Sequence, residues 1–369
     1  MAIRVLAIYP GFDPAINEAA MAWEQLAASG EIEFLAFAPT YDQLKNNEAQ
    51  ASMLKKSHFA IHRIPGGYPL KLDQQAFAAA IEFNPDVVVA GTQGNLDLAR
   101  KVASRVQAKL VLHQEYFYTD HCLINRKKYL GIRALLPFVA NQVRAKILSR
   151  VDRVWLSDPV EVRKYAAQSP KLRYVPWPHP DPGEIIPAAG RDFSKMVYIG
   201  SLSRAKGADV LADYARKLLS VFPGKRVEIV GPATDHTGRI ALRNIADDAG
   251  ERFVYHPNLP RADAMQLLSR APFVFIPGAG LSWGLIGDAW RRRTLVLAQA
   301  AHYDLVGDQN CILVHSADEF VEVVRTLEAD PAFGTQILES AIQTGLKHAP
   351  SEVSKVLGAL VKEVVTQGA

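Results

Sequence analysis

Val197-Tyr198-Ile199-Gly200-Ser201-Leu202-Ser203-Arg204-Ala205-Lys206-Gly207 is an apolar run that stops at a glycine and passes through a short basic loop into a helical pattern. A strand, a Gly-led turn and a helix in that order are the unit of an α/β fold. Backbone N–H groups at a helix start attract anions, and Arg204 and Lys206 add full positive charges, so the stretch suits a phosphate-binding turn. The same letters also suit an ordinary strand-to-helix turn with solvated basic residues.

Outward from this stretch, short apolar runs alternate with amphipathic ones. Before it, strands are expected near residues 4–9, 32–37, 59–64, 87–90, 110–113 and 153–156. From the strand that it completes onward they are expected at 195–199, 226–230, 253–255, 273–276, 294–297 and 312–314. Helices between successive strands imply parallel sheets built from right-handed crossovers. Pro176, Pro178, Pro180 and Pro182 fall within seven residues and stop any regular element. The expectation is therefore two doubly wound Rossmann-like domains, 1–176 and 177–349, facing each other across a cleft between their strand ends. A final helix over 352–365, with Ser351 as its cap, would pack back toward the first domain.

The 369 residues exceed what one core usually fills, and 49% hydrophobic with 22% charged is the balance of a globular protein. No apolar run reaches the roughly 18 residues of a membrane span, and the first nine residues read as a strand rather than a leader. Cys122 and Cys311 are far apart and form neither a disulfide framework nor a zinc pattern, which points to a reducing cytoplasm.

The net charge of +4 hides a basic segment: residues 121–151 hold seven Lys/Arg and no acid. Ile132, Leu135, Leu136, Val139, Val143 and Ile147 recur there at helical spacing. Such a helix packs on its own domain with its basic residues solvated, or leans on an anionic membrane through 126–150. The segment lacks the interleaved aromatics of a nucleic-acid surface, so no nucleic-acid partner is expected.

Further sequence features follow the 200–207 turn in a set order. Ile229-Val230-Gly231 ends a strand, His256-Pro257-Asn258-Leu259-Pro260 precedes a helix, Phe273 to Pro277-Gly278 ends another strand, and Gly284-Leu285 leads through Asp288-Ala289 to Thr294-Leu295-Val296-Leu297. In the first half Pro10-Gly11 follows the first strand, His113 ends a central strand, and Val151-Asp152-Arg153-Val154-Trp155-Leu156-Ser157 forms another. This series resembles the retaining glycosyltransferases of the GT-B fold, specifically glycosyltransferase family 4, over nearly the whole chain. The resemblance implies transfer of a sugar from a UDP- or GDP-linked donor, with retention and without a metal or other cofactor. The acceptor would be a small molecule, a saccharide or a lipid-linked group.

The same resemblance assigns roles. Lys206 and Arg204 would oppose the donor diphosphate, with Gly11, Gly200, Ser201, Gly231, Asn258, Leu259, Gly280, Leu281, Ser282, Trp283 and Gly284 lining the donor. His113 would line the donor sugar, and Asp288 would accept hydrogen bonds from the ribose hydroxyls. Glu115, Tyr116 and Asp120 form an acidic aromatic cluster after His113 that suits an acceptor or a loop anchor. Two departures stand out: Ser201 replaces the family's usual arginine, and Gly280 or Leu281 occupies the place of the first of its two spaced carboxylates.

Other chemistries fit less well. Tyr9-Pro10-Gly11-Phe12-Asp13 is not the GxGxxG turn of a dinucleotide enzyme, no P-loop is present, and no two aspartates are separated by one residue as a DxD metal site needs. A non-catalytic GT-B scaffold that binds nucleotide sugars, and a nucleotide-sugar epimerase on the same fold, remain as alternatives.

Overall fold

The computed structural model describes residues 2–12, 18–39, 55–56, 59–64, 69–114, 117, 136–179, 191–277, 283–300, 305, 307–330 and 332–367. It divides into two compact units, one of residues 1–178 with 349–369 and one of residues 179–348. The first unit runs to Pro178, and Val175 is fully buried in its core.

The first unit begins β1 (Ile3–Ile8), α1 (Glu18–Ala28), β2 (Ile32–Pro39), β3 (Lys55–Lys56), β4 (Phe59–Ile64), α2 (Gln74–Glu82), β5 (Val87–Ala90) and α3 (Leu96–Val106). It continues with β6 (Lys109–Gln114), α4 (Leu136–Arg150), β7 (Arg153–Leu156), α5 (Pro159–Ala166) and β8 (Leu172–Tyr174). The sheet order is β3-β4-β2-β1-β5-β6-β7-β8, parallel except where β3 meets β4. Both faces are covered, which is why Val87-Val88-Val89-Ala90 is apolar throughout rather than alternating. Val87, Val89 and Val111 pack on one side with Trp23 of α1, and Val88, Ala90 and Leu112 on the other with Leu96, Ala99 and Val102 of α3.

The second unit contains β9 (Lys195–Ile199), α6 (Ala208–Val221), β10 (Arg226–Val230), α7 (His236–Ala249), β11 (Phe253–His256), α8 (Arg261–Arg270) and β12 (Phe273–Ile276). There follow α9 (Trp283–Arg291), β13 (Leu295–Ala298), β14 (Ile312–Leu313), α10 (Ala317–Ala329) and α11 (Thr335–Leu346). Its strands are all parallel in the order β11-β10-β9-β12-β13-β14. In each sheet the chain winds first to one side and then to the other. The reversal leaves β1 beside β5 in the first unit and β9 beside β12 in the second. A crevice at the carboxyl ends of such a strand pair is where open α/β sheets take ligands.

Two sequence expectations change in detail. The last helix, α12 (Pro350–Thr366), belongs to the first unit, where Val353, Leu357, Val361 and Val364 join the α1 side of the core. It starts with Pro350 at its first position after Ala349, so Ser351 lies inside the helix and is not its cap. In α4 the buried residues include Ala140, Arg144 and Ile147, whereas Phe138 and Val139 are 61% and 46% exposed. Val139 thus leaves the expected apolar stripe. Arg144, expected on the solvated face, is buried with its guanidinium 3.7 Å from the centre of the Tyr165 ring. Stacking on an aromatic face lets that charge sit inside. The more N-terminal basic residues, Arg126 to Arg133, and Cys122 lie outside the described residues, and no helix among the described residues is long and apolar enough to cross a membrane.

Because Leu357 is buried among first-unit residues, Leu357→Ala should lower the unfolding free energy by about 2–5 kcal/mol. Urea denaturation followed by circular dichroism measures it; an unchanged midpoint would show that α12 is not part of that core.

Candidate functional site

The Gly200–Gly207 loop leaves β9 at the strand reversal of the second unit. Gly200 has φ +149°, a conformation that side chains with a Cβ rarely adopt, and its N–H donates to the Val230 carbonyl at 2.9 Å. Gly231, at the end of β10, has φ +124°, and a Cβ there would lie 2.3 Å from the Gly200 carbonyl oxygen. A Cβ on Gly238, in the first turn of α7, would lie 2.3 Å from the Leu202 carbonyl oxygen. Three glycines therefore allow two loops and a helix to meet backbone against backbone. Leu202 N–H donates to the Pro232 carbonyl and Thr234 N–H to the Leu202 carbonyl, both at 2.9 Å, extending the strand pairing into the loops.

Past Leu202 the chain makes a 3₁₀ turn over Arg204–Lys206 and reaches Gly207 at φ +72°. A Cβ on Gly207 would sit 2.7 Å from the carbonyl oxygen of Pro277, which follows β12. The start of α6 is thereby pressed against the neighbouring strand end, with no side chain capping it. Asp235 fixes the turn from below: one carboxylate oxygen takes the Gly238 N–H of α7 at 2.8 Å, and the other takes the Arg204 backbone N–H at 2.8 Å. Burial pushes the Asp235 carboxyl up, but the Gly238 and Arg204 N–H groups, with Arg239 and Thr237, hold it below the ordinary carboxylate range. The Arg204 guanidinium is exposed and makes no hydrogen bond or ion pair among the described residues. Lys206 is half-buried beside it. The arrangement is a rigid backbone that presents cations at the carboxyl end of the central strands.

The remaining second-unit positions sort clearly. Ser201 is half-buried and its carbonyl accepts from the Tyr198 hydroxyl at 3.3 Å. Asn258 is exposed and Leu259 half-buried in the turn after β11. Gly284 lies in the first turn of α9 with open space where a Cβ would be. Gly280, Leu281 and Ser282 lie outside the described residues, as does the side chain of Trp283.

Asp288, on α9, is buried and ion-paired: Arg261 Nη2 is 3.1 and 3.0 Å from its two oxygens, and Arg292 Nη1 is 3.5 Å from one of them. Burial raises its carboxyl above the ordinary range, against the pull of both arginines. Arg261, whose side chain is 46% exposed, lies at the start of α8 and connects this buried carboxylate to the surface.

In the first unit, the ends of β1, β5, β6 and β7 carry a second group. Tyr9 follows β1, and its ring occupies the place a Cβ on Gly91 would take, 2.3 Å from Cδ1. The Tyr9 hydroxyl lies 2.6 Å from His113 Nδ1 and accepts from Trp23 Nε1 at 3.3 Å. Burial lowers the His113 imidazole to about 4, so it is neutral near pH 7. Gly11 is half-buried in the bend after β1. Glu115, Tyr116 and Asp120 lie outside the described residues.

Sequence reasoning missed Asp235, Gly238, Arg261, Arg292, Trp23 and Tyr9. Asp235 had a local signal, an N-cap residue three positions before a first-turn glycine. The Arg261–Asp288 pair spans 27 positions and the Tyr9–His113 pair 104, with nothing local to mark either.

No family model matches the chain, and no match is found among curated proteins. Solved structures do match in fold. Sucrose-phosphate synthase from Thermosynechococcus elongatus aligns with TM-score 0.72 at 14% identity, covering 99% of this chain and 100% of that one. HepE from Anabaena, solved in complex with UDP and glucose, aligns with TM-score 0.69 at 13% identity over 98% and 100%. A glycosyltransferase from Rickettsia africae aligns with TM-score 0.66 at 10% identity over 99% of each chain. The fold is α/β, of GT-B type, with two Rossmann-like domains.

Gly231→Ala should strain the backbone by about 1–3 kcal/mol and push Gly200 out of place. Chemical denaturation would register the loss; wild-type stability in this variant would contradict the close packing of the two loops.

Proposed function

We propose that this protein is a retaining glycosyltransferase similar to glycosyltransferase family 4, moving a hexosyl group from a UDP- or GDP-linked donor to a small-molecule, saccharide or lipid-linked acceptor. The observation that carries the reading is the basic turn Arg204–Lys206, held at the strand reversal by Gly200, Gly207 and Asp235. The structures of HepE, which hold UDP with glucose and UDP-glucose, support a nucleotide-sugar donor.

In this reading the bond between the anomeric carbon and the diphosphate oxygen breaks, and the acceptor oxygen bonds to the same face of that carbon. The departing phosphate oxygen takes the acceptor's proton, so no side-chain nucleophile is needed. Negative charge grows on the leaving diphosphate, and Arg204 and Lys206 oppose it from a turn whose geometry is set before the donor arrives. The N–H groups at the start of the helix near Gly284 add to the cradle. No metal enters the scheme. His113 lines the donor sugar, and Glu115, Tyr116 and Asp120 meet the acceptor.

Asp288 accepts hydrogen bonds from the ribose hydroxyls in this reading, and the half-exposed Arg261 lies against its carboxylate. The enclosure of Asp288 by two arginines also favours a second reading, a scaffold that binds nucleotide sugars without turnover.

Purified protein incubated with UDP-glucose, UDP-N-acetylglucosamine and GDP-mannose should release free nucleotide from one of them. Lys206→Ala should reduce that turnover about 100- to 1000-fold with an intact fold. Binding of a donor without turnover, with or without a saccharide acceptor, would favour the scaffold, and an epimerised sugar among the products would favour the epimerase.

A further inference from the structure

The hydrogen bonds around Tyr9 determine which nitrogen of His113 carries its proton. An indole N–H only donates, so Trp23 Nε1 gives its hydrogen to the Tyr9 oxygen. The phenol then has one proton to place, and His113 Nδ1, at 2.6 Å, is the acceptor within reach. If Nδ1 held a proton instead, the buried Tyr9 O–H would be left with no acceptor among the described residues, at a cost of about 1–3 kcal/mol. The direction Trp23 to Tyr9 to His113 leaves the proton of the neutral ring on Nε2.

That Nε2 atom is buried and has no hydrogen-bond partner among the described residues. Other buried polar atoms at these strand ends share this condition among the described residues: Nε1 of Trp155, the residue paired in register with His113, the side-chain amide of Gln114, and the hydroxyl of Ser157 just beyond β7. Buried polar atoms are nearly always satisfied, so a cluster of orphans at strand ends marks where an oxygen-bearing group belongs. The rings of Trp23 and Trp155 stand edge-on to the imidazole at centroid distances of 6.5 and 5.9 Å, which limits its rotation.

We propose that Tyr9, backed by Trp23, is a positioning residue that locks His113 in its Nε2–H form, so that the first unit offers a fixed neutral hydrogen-bond donor to an oxygen of its ligand. A neutral donor suits a hydroxyl or ring oxygen of a sugar and gives no preference to an anion. This inference rests on the sugar-transfer reading for the ligand's class, while the tautomer itself is independent of it. Burial also raises the Tyr9 hydroxyl well above the ordinary phenol range, so both partners stay uncharged at neutral pH.

The test is long-range ¹H–¹⁵N correlation NMR on full-length protein labelled at histidine, with His113 assigned by comparison with His113→Gln. Wild type should show one His113 tautomer, protonated at Nε2, unchanged between about pH 6 and pH 8. Tyr9→Phe should give a mixture of tautomers and lower kcat/KM on the turned-over donor by about two- to tenfold, the worth of one neutral hydrogen bond. A wild-type ring protonated at Nδ1, or a Tyr9→Phe spectrum identical to wild type, overturns the proposal. The wild-type spectrum decides it even if Tyr9→Phe fails to fold. Failure of every donor to turn over would count against the sugar-transfer reading and leave the tautomer result to stand or fall by itself.

Discussion

The rest of this structure depends on parallel strands whose winding reverses beside the first strand of each sheet. Two connections that leave neighbouring strand ends in opposite directions cannot cover the gap between them, so the backbone there stays open to a ligand. Two of the groups given a role stand at such a place: the Gly200–Gly207 loop between β9 and β12, and Tyr9 with Gly91 between β1 and β5. The two openings are furnished in different ways. The second unit brings backbone and cations, while the first brings aromatic rings and neutral hydrogen-bonding groups.

Steric exclusion explains the difference. Around the loop after β9 the neighbours of Gly207, Gly231 and Gly238 are carbonyl groups, and the missing side chains let peptide groups approach one another closely. Such a loop has little freedom to adjust, and the charges it carries are placed when the unit folds. At β1 the neighbour of Gly91 is a tyrosine ring, so the missing side chain admits a large group whose hydroxyl then organises a histidine. A diphosphate needs concentrated positive charge, and a sugar needs neutral donors and acceptors.

Much of the fold was legible because buried parallel strands must be apolar on both faces. Val87–Ala90, Phe273–Ile276 and Leu295–Ala298 stand out as compact apolar runs bounded by turn residues. The edges were harder to read. β8 is three residues long and carries Arg173 and Tyr174, with Arg173 paired to Glu363 of α12, so its sequence has no apolar run to recognise. In α4 the periodicity gave a helix but not the depth of Arg144, since an arginine reads as solvated until its aromatic partner is known.

Site residues were legible where a backbone constraint selected them and obscure where side chains met at a distance. Gly200 and Gly207 can be read from sequence because a turn with positive φ calls for glycine. Asp288 was found as a carboxylate, yet its two arginines were not, and they change its chemistry: an open carboxylate accepts hydroxyls directly, whereas this one is desolvated and already held by Arg261 and Arg292. Removing one partner of a buried ion pair leaves the other charge unmet, so the exposed Arg261 is bound to Asp288 by more than its own contact distance suggests.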